Sequence, residues 1–124
     1  MAQVAAIKLI KLMQEWVLDN CRKQWAYLRA GLEKLQREYP EIGDIRQAGL
    51  HIGVEMVKDP ATKAPADDES NAIRKLAREK GVIFGKGGAT SNLIKIKPPL
   101  IVKQEECDEI LSVFSDVLRT VLRE

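Results

Sequence analysis

Residues 4–37 contain no proline and a single glycine, Gly31. Within them Leu18, Cys21, Trp25, Leu28, Leu32 and Leu35 recur in alternating steps of three and four. Such steps lay one apolar stripe along an α-helix. Ile7, Ile10, Met13 and Val17 form a similar stripe upstream. The segment reads as one long helix or as two, with a bend at Asp19-Asn20, where two poor helix formers adjoin. Tyr39-Pro40 ends it, because proline disfavours helical backbone in the residue before it.

The pattern then changes period. Leu50, Ile52, Val54 and Met56 alternate with His51, Gly53, Glu55 and Val57, which marks a half-buried strand. Gly43 and Gly49 punctuate this region as a turn and a bulge. Residues 60–66 hold two prolines and no large apolar side chain, so they form an exposed loop. A short helix follows to about Lys80, capped by Asp67 or Asp68, with acids opening and bases closing it as the helix dipole favours. Gly81 is placed to terminate it. Val82-Ile83-Phe84 and residues 93–97 read as two short strands around the glycine-rich run GKGGATSN. Cys107, Ile110, Leu111, Phe114, Val117, Leu118, Val121 and Leu122 then define an amphipathic helix from about Lys103. The expected fold is α+β: a small sheet of three to four mainly antiparallel strands, helices packed on one face, and a long N-terminal helix ahead of it. At 124 residues it is expected to be a single domain, with 1–38 the long helix or helix pair and 39–124 the sheet and its helices.

Bulk properties exclude several functions. A net charge of +2, with acids and bases interleaved, offers no basic face for nucleic acid. The apolar N-terminus is broken by Lys8 and Lys11 and is too short to span a bilayer. A cytoplasmic location is the default expectation. Cys21 and Cys107 lie in helical patterns without a CxxC pair, and His51 is the sole histidine, so no zinc site is expected.

Few residues carry candidate chemistry. The run Gly85-Lys86-Gly87-Gly88 joins two strands and lacks the spacing of a phosphate-binding loop. His51 has no nucleophile or carboxylate at motif spacing and reads as structural or solvent-facing. Lys95 is different. In an extended strand it points opposite to Ile94 and Ile96, shares its side with Lys97, and is followed by Pro98-Pro99. It reads either as a solvated edge-strand lysine or as a cation fixed to hold a carboxylate or phosphate.

Several segments resemble class III aminotransferases. The run IGDIRQAGLHIGVEMV is similar to their "hG-hRG-GLhhGhEhV" segment (h apolar), and DPATKAP to the loop after it. GVIFGKGGATSNLIKIKPPL resembles "GhhhxxxGxxxNhhRhxPPL", and DNCRKQWAYLRAGLEKL an upstream helix of that family. The similarity runs from about Ala5 to the end.

The resemblance implies the C-terminal small domain of a fold-type I enzyme dependent on pyridoxal phosphate. The large domain, with the lysine that binds the cofactor, would lie upstream of Met1. Lys95 and Lys97 fall in a different motif and are not that lysine. Lys95 stands where many members have an arginine that holds the substrate carboxylate. Other departures are Trp16 and Trp25 at common glycine positions, Gln47 after Arg46 where glycine is usual, and Lys103 in place of a helix-capping threonine. The resemblance therefore implies a small domain that closes over the active site of a transaminase. It would be inactive alone, with no catalytic, metal or cofactor-binding residue of its own. Its expected partners are the missing large domain or a second copy. The alternative is a self-associating module pairing through the Leu18 to Leu35 stripe. A further reading is an anion site of Lys86, Lys95 and Lys97.

Overall fold

The computed structural model describes residues 2–48, 51–87, 92–98 and 102–123. The proline-free segment is one uninterrupted helix, α1 (Ala2–Glu38), so the two-helix alternative is not realised. Its stripe is divided. Leu28, Leu32 and Leu35 are buried, whereas Leu18 and Trp25 are exposed. Ile7, Ile10, Met13 and Trp16 are exposed as well. Among the described residues the upstream stripe therefore meets no core, and the Leu28 to Leu35 half of the second stripe is already consumed in packing.

Gly31 is the one poor helix former at the packed end of α1. Leu111 of α3 (Gln104–Arg123) occupies the space that a side chain at Gly31 would fill. Close approach of two helices thus offsets a propensity cost of about 1 kcal/mol. The Tyr27 hydroxyl donates to the Asp108 carboxylate across the same pair of helices, and this bond raises the tyrosine pKa. Buried Gln24 has its amide satisfied by Asn20 and by the Cys107 thiol. Burial is the main cause that pushes that thiol up to about 11.

Four strands form one antiparallel sheet: β1 (Ile42–Ala48), β2 (His51–Met56), β3 (Gly85–Gly87) and β4 (Leu93–Ile96), in the order β1-β2-β4-β3. Strand β1 was not expected as such. Its register shifts between Ile42 and Asp44, which makes Gly43 a bulge rather than a turn. Gly49 and Leu50 lie outside the described residues. The third strand also differs from expectation. Residues 82–84 form no ladder, and the strand begins at Gly85. Phe84 instead enters the core and meets Phe114 edge to face, with centroids 5.5 Å apart. On the inner side of the sheet Ile45, Ile52, Val54, Met56, Ile94 and Ile96 are buried, in one core cluster with residues of α1, α3 and α2 (Asp67–Glu79).

Helix ends are fixed by backbone more than by the expected side chains. The N-cap of α2 is Ala66, not Asp67 or Asp68, and no side chain caps it. The C-terminus matches expectation. Gly81 has φ +92°, its N–H reaches Arg78 O, and the Val82 N–H reaches Ala77 O. That is the bond pattern of a left-handed glycine stop. At α3, the Glu106 carboxylate accepts the Lys103 backbone N–H at 3.1 Å, so the absent capping threonine is replaced by half of a capping box.

The far end of α3 is pinned to the turn before β1. Arg123 donates to both oxygens of Glu41, one at 2.9 Å, and its guanidinium stands 5.2 Å from the centre of the Tyr39 ring. These hydrogen bonds hold the Glu41 carboxyl below its ordinary 4.5, against the opposing effect of burial. A carboxyl with a depressed folded-state pKa stabilises the fold above its unfolded pKa. That contribution is lost as pH falls through the folded value. The expected result is a wild-type melting temperature above that of Glu41→Gln at neutral pH, with the gap closing below pH 4.5. Thermal melts of both proteins across the acid range check it.

Candidate functional site

The helices cover one side of the sheet, and the outer side carries the candidate residues. Strand β4 lies between β2 and β3. Its pleat buries Ile94 and Ile96 and turns Leu93 and Lys95 outward, half-buried. Asn92 holds the start of this strand: Met56 N–H donates to its carbonyl at 2.8 Å, and its side-chain amide donates to Met56 O at 3.1 Å. The asparagine of the sequence motif thus sets the register that places Lys95.

That register gives Lys95 an unusual surrounding. Its partner on β2 is Gly53 and its partner on β3 is Gly85. No side chain stands directly opposite it on either neighbouring strand. An open hollow of about 380 Å³ lies beside it, lined by Arg46, His51, Gly53, Leu93, Lys95 and Lys97 among others. Four of those residues are basic, but they are not equivalent. Arg46 is engaged by Asp44 at 3.1 Å and Glu55 at 3.0 Å. Among the described residues, Lys95 and Lys97 have no ion-pair partner. The Lys95 stem runs toward Gly87 on β3, so its ammonium stands apart from Lys97 and is a single uncompensated charge that can attract a small anion.

The structure separates the expected anion triad. Lys86 pairs with Ile94, whose side chain is buried on the inner side, so Lys86 belongs to the face opposite Lys95. His51, read from sequence as structural or solvent-facing, is exposed and lies in the same hollow as Lys95 and Lys97. Alternation alone puts His51 and Gly53 on one side of β2, but only the pairing of Gly53 with Lys95 brings His51 to this hollow. The Gln47 departure also has a partner here: its amide donates to the Trp25 carbonyl of α1 at 3.2 Å, a tie that glycine could not make. Among the described residues no three His, Cys, Asp or Glu side chains gather as metal ligands, and no helix is long and apolar enough to cross a membrane.

A family model described as "Aminotransferase class-III" matches residues 1–118. The taurine–pyruvate aminotransferase of Bilophila wadsworthia is 37% identical over 125 residues, spanning 97% of this chain and 27% of that protein. The (R)-1-hydroxy-2-aminoethylphosphonate ammonia-lyase of Vibrio splendidus is 36% identical over 123 residues, spanning 99% of this chain and 25% of that protein. Among solved structures, a phospholyase from Arthrobacter in complex with phosphoethanolamine superposes with a TM-score of 0.83 at 25% identity, over 90% of this chain and 26% of that one. The chain belongs to the class III aminotransferase family and corresponds to its small domain. It spans about a quarter of the length of the curated relatives it matches.

Proposed function

We propose that this chain holds the anionic end of the substrate in a class III enzyme dependent on pyridoxal phosphate, with Lys95 as the contact. The observation that supports this reading most is the Lys95 ammonium, unpaired among the described residues and flanked by glycine on both neighbouring strands. In the whole enzyme the reaction is transfer of an amino group from a donor to a 2-oxo acid or aldehyde, and pyridoxal phosphate supplies the electron sink for that chemistry. The hollow beside Lys95 is lined by no carboxylate that could pair with the pyridine nitrogen. We therefore assign this chain a substrate-holding role and no catalytic step.

Lysine favours a particular kind of anion. Arginine offers a planar fork that matches a carboxylate, whereas an ammonium is a point charge indifferent to that plane. Such a point charge suits a compact tetrahedral oxyanion. The names of three relatives point the same way: taurine, an aminoethylphosphonate and phosphoethanolamine each carry an amine at one end and such an anion at the other. We accordingly propose amines bearing a sulfonate, phosphonate or phosphate as substrates.

The partners follow from the exposed surface. Ile7, Ile10, Met13 and Trp16 stand open on α1, and the remainder of a protein about four times longer is their natural cover. A cytoplasmic homodimer that engages neither nucleic acid nor membrane completes the proposal. The test is direct. Incubated with pyridoxal phosphate and borohydride, this chain alone should show no specific cofactor attachment at a single lysine and no turnover of an amino donor. Specific attachment with turnover would overturn the reading.

A further inference from the structure

The edge strand beside Lys95 is bare at two successive outward positions. A side chain at Gly85 would place its Cβ 3.1 Å from the Lys95 Cβ. At Gly87 a Cβ would lie 3.1 Å from the Lys95 Nζ and closer still to its Cε. The lysine stem therefore leaves β4 sideways. It passes Gly85 and carries its ammonium over Gly87, toward the margin of the sheet. On the opposite side, a Cβ at Gly53 would meet Leu93 Cδ1 at 3.1 Å, so Leu93 covers the β2 flank. A free lysine has four rotatable bonds and holds its charge loosely. Here the bare strand supplies a channel.

We infer that Gly85 and Gly87 are positioning residues for the Lys95 ammonium. Their missing side chains let the stem lie across β3 and fix the charge at the sheet margin, where a flexible lysine can seat a small oxyanion with defined geometry. The inference rests on the reading of Lys95 as the anion contact. It reaches beyond the resemblance pattern GhhhxxxGxxxNhhRhxPPL, which assigns no residue type to positions 85 and 87. The two glycines and the lysine act as one unit, because a Cβ at 87 intrudes on space that the ammonium end of Lys95 already fills.

The experiment uses this 124-residue chain and inorganic phosphate. Backbone amide shifts report binding, and circular dichroism reports folding. Phosphate should bind the wild type, and Lys95→Met should abolish it. Gly87→Ala should weaken it about tenfold while the fold is kept, the scale of one misplaced charge-assisted hydrogen bond. Wild-type affinity in a folded Gly87→Ala overturns the inference. An undiminished affinity in Lys95→Met, or no binding by the wild type, sinks the underlying role of Lys95 instead, which separates the two claims. If Gly87→Ala does not fold, the wild type still decides the matter. A nuclear Overhauser contact between the Lys95 ε-methylene and the Gly87 α-protons is required, and its absence overturns the positioning role.

Discussion

Phe114→Ala is expected to lower the unfolding free energy by about 3–5 kcal/mol, the usual cost of emptying a buried aromatic site. Phe114 has no exposed surface and meets the Phe84 ring at an interplanar angle of 83°. The truncation removes that edge-to-face contact together with the apolar area. It also leaves a cavity inside a core cluster that includes residues of all three helices and the sheet. A domain of this size is typically stable by only about 5–15 kcal/mol, so the variant should sit near the limit of folding. Urea denaturation measures the loss. Ile83→Ala is the control: Ile83 is 81% exposed beside the buried Phe84, and its replacement should change stability by less than about 0.5 kcal/mol.

The second large effect concerns substrate. In the whole enzyme, Lys95→Met should reduce kcat/KM for an anionic amine by about 10- to 150-fold, which corresponds to the roughly 1.5–3 kcal/mol of a hydrogen bond to a charged group. Most of the loss should appear in KM, since an anchor remote from the reacting carbon binds ground and transition states alike. An amine without an anionic end should lose almost nothing. Lys95→Arg should keep the charge but shift preference toward carboxylates, whose plane the guanidinium matches. Lys86→Met removes a lysine from the opposite face and should leave these constants unchanged. Steady-state kinetics with paired substrates distinguishes these outcomes, and an equal loss for charged and uncharged amines would exclude the anchoring role.

Sequence reading worked where one period governed a long segment. The buried residues of α3, Cys107, Val113, Phe114, Val117 and Leu118, all lie on the helical stripe or beside it. The outward direction of Lys95 followed from alternation alone. Reading failed where a local irregularity changed the phase. In β1 the bulge at Gly43 inserts one residue, so buried Ile42 and Ile45 are three apart and the period of two disappears. At residues 82–84 the branched and aromatic side chains mimic a strand, yet Phe84 is drawn into the core and Ile83 into solvent. The true strand, Gly85–Gly87, has almost no side chains to announce it. The glycine surroundings of Lys95 were hidden for another reason. They arise from pairing between strands, and residues 53, 85 and 95 share no sequence window.

The exposed first half of α1 gives the domain a mechanical character. Leu28, Leu32 and Leu35 clamp one end of a rod, and about 24 Å of helix extends ahead of Leu18 without support among the described residues. A rod held at one end is a lever. Whatever grips Ile7, Ile10 and Trp16 can swing the sheet as one piece, and the margin that carries Lys95 must swing with it.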